Sequence, residues 1–244
     1  MRIIVSGAAG FMGREVLALC RDGYRGALCV GCVDIRAGDG ISPSLADCPA
    51  AADVLIDFSH HTGTLSLLAE AEKRGLPAVI ATTGHTDEEK NGILRFSRNL
   101  PVFFSANTSV GVALMARLVR ETASLLPQAE IEIIETHHSR KLDAPSGTAL
   151  MLADSIREAR PDLHPHTGRT GHQKRDPAEI GIHSVRIGNV VGRHEVMFST
   201  GSETVTITHE AHSRTLFAQG AIAAAEFLIG KPAGLYTMKD VLGG

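Results

Sequence analysis

Over the first hundred residues, short apolar runs alternate with stretches of helical periodicity. Residues 3–6, 28–34, 53–58, 78–82 and 102–104 are apolar at successive rather than alternate positions, the pattern of strands buried on both faces. Helices are predicted between them. One covers residues 13–21 after a glycine-rich turn. A second carries Leu65, Leu68 and Ala69 and closes on Gly75 as a C-terminal glycine. A third opens at Thr86, which forms a capping box with Glu89. Strands separated by helices in this way predict a parallel sheet covered on both sides.

The pattern changes after Asn107. A long helix is predicted over residues 110–126, with Val112, Met115, Leu118 and Val119 at helical spacing and Pro127 as its stop. Strands follow at 130–138, 182–187, 195–199 and 203–211, the last two joined by a hairpin at Thr200-Gly201-Ser202. A helix with Leu152, Ala153 and Ile156 on one face stops at Pro161. Residues 160–181 read as a long loop, and a final helix over 216–228 is expected to return to the first domain. The fold class is therefore α/β. It combines an N-terminal doubly wound Rossmann-type parallel sheet (1–107 with 216–244) and a second α+β domain (108–215) with an open mixed or antiparallel sheet.

Composition narrows the function. The 244 residues are 43% hydrophobic and carry a formal net charge of −3, with 4% aromatic residues and no Trp. A basic patch and stacking platforms for nucleic acid are both missing. No apolar run approaches the roughly 20 residues a membrane span needs, and the apolar start is too short for a signal peptide, so a cytoplasmic protein is expected. Cys29 and Cys32 form a C-x-x-C, but within a strand an odd separation should point them to opposite faces, which argues against redox or metal chemistry.

The chemistry concentrates in two places. Gly7-Ala8-Ala9-Gly10-Phe11-Met12-Gly13 follows a strand and opens a helix. Glycine serves there for the sharp turn, for close approach of backbone to a diphosphate, and for helix packing against the sheet. Asp34 ends the next strand about 20 residues on, where a carboxylate meets adenosine ribose hydroxyls. Asp34 favours NADH, while Arg36 offers a cation to a 2′-phosphate or is simply solvated. NADH or NADPH is therefore the expected cofactor. Ala81-Thr82-Thr83-Gly84 and Ser105-Ala106-Asn107-Thr108 lie at the carboxyl ends of later strands and join the candidate cofactor set, either as nicotinamide contacts or as ordinary turns.

The second place is residues 130–150. A strand ends at His137-His138, then come Lys141, Asp143-Ala144-Pro145, and Ser146-Gly147-Thr148 at a helix start. An ammonium group and a helix N-terminus make an anion site, and histidine moves protons near neutral pH. A small dicarboxylate suits it. Adjacent histidines diverge on a strand, which is poor chelating geometry, and no metal is expected.

The run H-H-x-x-K-x-D-A-P-S-G-T-A, from His137 to Ala149, resembles the signature of the 4-hydroxy-tetrahydrodipicolinate reductase family. The glycine loop, the Thr-Thr-Gly turn, residues 107–111, Ser213-Arg214 and residues 217–220 match as well, so the similarity spans essentially the whole chain. Phe11 and Ala81 depart from relatives that carry a basic residue and a glycine there. The resemblance implies His137 as proton donor/acceptor and Lys141 as proton donor. It implies His138, Gly147 and Thr148, with Ser146 beside them, as substrate-binding positions. It further implies Gly7 to Met12, Asp34, Ala81 to Thr83 and Ser105 to Thr108 as cofactor positions. A cytoplasmic homotetramer assembled through the second domain, working in diaminopimelate and lysine biosynthesis, is the corresponding expectation. The rival readings are another imino- or amino-acid dehydrogenase and a non-catalytic dinucleotide sensor.

Overall fold

The computed structural model describes residues 1–36 and 38–243. In chain order the elements begin β1 (Arg2–Ser6), α1 (Phe11–Arg21), β2 (Leu28–Val33), β3 (Ile41–Ser42), β4 (Val54–Asp57), α2 (Thr64–Lys73) and β5 (Ala78–Ile80). They continue with α3 (Asp87–Phe96), β6 (Pro101–Phe104), α4 (Val110–Leu125), β7 (Glu130–His137), α5 (Gly147–Ala159) and β8 (His164–Thr167). The chain ends with β9 (Glu179–Arg186), β10 (Gly192–Ser199), β11 (Thr204–Ala211), α6 (Thr215–Leu228), β12 (Gly234–Tyr236) and α7 (Met238–Val241). It divides into two compact units, residues 1–110 with 214–243 and residues 111–213.

The first unit holds a parallel sheet in the order β12-β6-β5-β4-β1-β2-β3. The order reverses between β1 and β4, and a doubly wound sheet opens its ligand crevice at the carboxyl ends of the two strands that meet there. Successive apolar residues in β4 and β5 are all buried, because helices cover both faces. Ile4, Leu55, Leu68, Ala78, Ile80, Ile93 and Val102 make one core cluster. Gly75 takes φ +59 after α2, and the capping box of Thr86 and Glu89 starts α3. The short strands β3 and β12 extend both edges of the sheet. Two or three residues carry too little periodicity to be seen in sequence.

The cysteine expectation is overturned. Ile3 pairs with Cys29 but Ile4 pairs with Gly31, so Val30 is an extra residue in β2. A bulge of this kind puts two residues opposite one and breaks the alternation of side chains. The Cys29 and Cys32 sulfurs therefore lie 3.8 Å apart on one side. Burial, followed by the neighbouring Cys32, pushes the Cys29 thiol up to about 12. It stays protonated, the opposite of an activated thiolate.

The second unit holds a mixed sheet in the order β11-β10-β7-β9-β8. β10 runs antiparallel to β7 and β11, while β7 and β8 run parallel to β9. Alternation is clean in β7, where Ile131 and Ile133 are buried between half-buried neighbours. Their face packs under α4 and α5 through Met115, Val119, Leu152, Ile156, Val196 and Phe198. Each such side chain contributes roughly 1.5–3 kcal/mol of hydrophobic stabilisation. The stretch 160–181 is not wholly loop, since β8 pairs with β9 at its edge. The His-Pro-His-Thr sequence hid it, proline being tolerated only where no ladder hydrogen bond is needed. Arg169 and Arg175 pin the rest of that segment to Glu132 and the buried Glu179.

Candidate active site

In the first unit the glycine loop leaves β1 by a turn that demands glycine. Gly7 has φ +76, and a Cβ there would lie 2.6 Å from the Phe58 carbonyl carbon. A Cβ on Gly13 would lie 2.1 Å from the Gly7 oxygen. Gly10 is the N-cap of α1 and provides no side-chain cap. The N–H groups of the first helical turn are thus left for an anion, at the positive end of the helix dipole. Asp34 joins this loop directly. Its carboxylate accepts hydrogen bonds from the Ala9 N–H at 2.9 Å and the Arg36 N–H at 2.9 Å. Phe11 is 58% exposed, and the Arg214 guanidinium lies 5.6 Å from its ring centroid.

The other candidate cofactor residues use their side chains locally. The Thr82 hydroxyl donates to the buried Asp57 carboxylate at 2.9 Å. The Ser105 hydroxyl donates to the Asn107 carbonyl, and the Asn107 side-chain oxygen accepts from the Ser109 N–H. The Thr108 hydroxyl donates to the Phe217 carbonyl at 2.7 Å, beside Gly220, where a Cβ would lie 1.7 Å from the Thr108 carbonyl oxygen. These loops therefore face solvent mainly with backbone, together with exposed Thr83 and Ala106. A glycine cradle and an uncapped helix start fit a dinucleotide diphosphate.

In the second unit the carboxyl end of β7 gathers His137, Lys141 and the start of α5. His137 is buried and His138, on the opposite face, half-buried. Ser146 caps α5 by accepting the Ala149 N–H, which leaves Gly147 and Thr148 in the first turn. The Lys141 ammonium lies 2.8 Å from the Asp143 carboxylate, and that contact, ahead of burial, holds Asp143 below its ordinary range.

Beneath these residues lies a group that the sequence did not suggest. Glu135, fully buried, accepts from Arg186 at 2.7 and 2.9 Å, contacts His137 Nδ1 at 2.5 Å and accepts the Ser146 N–H at 3.1 Å. Burial pushes this carboxyl up, but hydrogen bonds led by Arg186 outweigh it and hold it at about 2. Burial, with Lys141 and Arg186 nearby, holds His137 below its ordinary range against the opposing pull of Glu135. His194 on β10 sits 3.0 Å from the Ser146 hydroxyl, and its ring lies 5.1 Å from that of His137. Burial and the nearby His137 bring His194 to about 4. Register explains the assembly. Glu135 stands opposite His194, and His137 stands opposite Arg186. The only hint in the sequence is that Glu135 and His137, two apart on a strand, share a face.

Comparison with known proteins decides the family. The model for the dihydrodipicolinate reductase N-terminus matches residues 1–108, and that for its C-terminus matches residues 111–242. The chain belongs to the dihydrodipicolinate reductase family. It is 44% identical over 247 residues to the 4-hydroxy-tetrahydrodipicolinate reductase of Caldanaerobacter subterraneus subsp. tengcongensis, covering 99% of this chain and 98% of that one. It is 43% identical over 246 residues to the protein of the same name from Akkermansia muciniphila, covering 99% and 97%. Among solved structures, a dipicolinate-bound dihydrodipicolinate reductase from Paenisporosarcina sp. TG-14 shares the fold. Its TM-score is 0.76 at 24% identity, over 97% of both chains. Family membership makes the chain an NAD(P)H-dependent oxidoreductase with a Rossmann-type cofactor domain. Among the described residues no helix is long and apolar enough to cross a membrane.

Proposed function

We propose that this chain reduces 4-hydroxy-tetrahydrodipicolinate to tetrahydrodipicolinate with NADH or NADPH, one hydride and one proton being taken up and the 4-hydroxyl leaving as water, in diaminopimelate and lysine biosynthesis. The observation that carries this reading is the convergence of Lys141 and the α5 N-terminus at the end of β7, beside a buried histidine. Two sources of positive potential suit a ring bearing two carboxylates.

The cofactor supplies the hydride. Gly7 to Met12 would hold its diphosphate, with Asp34 at the adenosine ribose and the backbone of 81–83 and 105–108 at the nicotinamide. Gly147 and Thr148 bind one substrate carboxylate, with Ser146 holding the helix start in place beneath them, and His138 helps to orient the ring. The ammonium of Lys141 is shared with Asp143, which is 60% exposed. An exposed pair of this kind is worth at most about 1 kcal/mol, so Lys141 turns to an incoming anion at small cost and then donates the proton. His137 exchanges protons beside it. The same reading makes the protein a cytoplasmic homotetramer assembled through the second unit's sheet.

A coupled assay tests the activity. Substrate is generated from pyruvate and aspartate semialdehyde by the condensing enzyme, and absorbance at the nicotinamide band is followed. Oxidation of NADH or NADPH that requires both precursors is expected. Oxidation that ignores them, or none at all, overturns the proposal.

A further inference from the structure

Resting on that reading, we propose that Glu135 is a positioning residue that fixes His137 in its Nδ1–H form, so that proton exchange runs through Nε2. Gly192 is the residue that keeps Nε2 uncovered.

The argument starts from hydrogen-bond inventory. An ionised carboxylate only accepts. Both Glu135 oxygens are occupied, one by Arg186 Nη2 and the Ser146 N–H, the other by Arg186 Nη1 and the His137 ring. Neutral His137 must therefore donate from Nδ1, and the lone pair is left on Nε2. Arg186 keeps Glu135 an acceptor, because a buried glutamate without its cation would take up a proton and could then donate to the ring instead.

Geometry at the far side of the ring agrees. No hydrogen bond to Nε2 exists among the described residues. Gly192 at the start of β10 lies close on this side, where a Cβ would lie 3.1 Å from Nε2 and 3.4 Å from Cδ2. Any side chain there would crowd the nitrogen that exchanges protons. His194 supports the ring edge-on. The charged and titratable groups around His137 are Glu135 on β7, Lys141 with Asp143 on the following loop, Arg186 on β9 and His194 on β10. Only Glu135 lies within hydrogen-bond distance of the ring.

The bond from the Ser146 N–H adds a second consequence. Ser146 is the cap of α5, so the carboxylate that orients the proton-exchanging ring also anchors the helix start that presents Gly147 and Thr148. One side chain sets both positions at once.

Long-range 1H–15N spectra of the imidazoles in the cofactor-free protein test this without turnover. Neutral His137 is expected to be protonated at Nδ1, and a dominant Nε2–H form in the wild type would overturn the proposal. Glu135→Gln should mix the two forms and move the acid limb of the kcat/KM profile to lower pH. It should cut kcat on the order of 10²-fold, the range for removing an orienting partner, with KM changing less. Glu135→Asp should recover part of the rate. A folded Glu135→Gln protein that keeps both the wild-type tautomer and the wild-type pH limb overturns the assignment, even if it is slower. Gly192→Ala should lower kcat at least tenfold with the tautomer unchanged, and a wild-type rate overturns the role given to Gly192. Should the wild type fail to reduce the substrate, the functional reading falls, while the spectra still decide the tautomer.

Discussion

The two ends of the chemistry are built from different materials. The glycine loop of the first unit is marked by a lack of side chains: Gly7 and Gly13 clear space, and Gly10 leaves the first turn of α1 without a side-chain cap. The β7–α5 corner of the second unit works by concentrating side chains, with Glu135, Arg186, His137, His194 and Ser146 in one bonded cluster. On the proposed reading, a dinucleotide diphosphate is recognised by the shape and dipole of that loop. Proton transfer needs groups whose ionisation is set by their neighbours. The difference predicts that damage to the first region affects binding, and damage to the second affects rate.

The sharpest test is Lys141→Ala. Turnover should fall by about 10²–10⁴, the range for a lost general acid, while NADH affinity measured by fluorescence stays within about twofold. Turnover at the wild-type rate would dissolve the contrast. Gly7→Ala should do the reverse. A non-glycine residue forced to positive φ against the Phe58 backbone costs about 1–3 kcal/mol, so both the melting temperature and cofactor affinity should drop, the latter at least tenfold.

Acid titration probes the second region alone. His194 accepts a proton near pH 6.5 when the chain is unfolded but only near 4 when folded. Between these values the unfolded state binds more protons, so stability falls as pH falls. The loss should reach on the order of 1–2 kcal/mol by pH 5, and His194→Asn should flatten melting temperature over that window. Below about pH 4.5 the loss of the ionised Glu135, held at about 2, should add a further decline. The smallest effect is expected for Asp34→Ala, which should weaken NADH a few-fold more than NADPH. Equal loss would remove Asp34 from cofactor choice.

The same contrast explains what could be read from the chain. Gly7 to Gly13 are contiguous, and Asp34 follows at a fixed interval, so the first region is visible in one dimension. In the second, His137, Lys141 and Ser146 are near neighbours in sequence and stood out. Arg186 and His194 come from other strands, and nothing in their local sequence marks the register that brings them to Glu135. Glu135 itself looked like one more polar residue in an alternating strand. Strand alternation holds in β7 and β10 of the second sheet, yet it failed for Cys29 and Cys32, because the extra Val30 is invisible in a pattern of apolar residues. The edge strands β3, β8 and β12 were missed because each is short or contains proline or glycine.

That extra residue in β2 has a consequence for engineering. Val33 receives the Gly7 and Ala8 N–H groups on its carbonyl, and Asp34 receives that of Ala9. β2 thus acts as a ruler whose length sets where the carboxylate meets the loop. Because Val30 is the extra residue, deleting it would leave Gly31, Cys32 and Val33 opposite Ile4, Val5 and Ser6 and would only remove the bulge after Cys29. The strand should therefore tolerate a lost codon at position 30 better than one at Cys32 or Val33, whose removal would take Asp34 out of step with the Ala9 N–H.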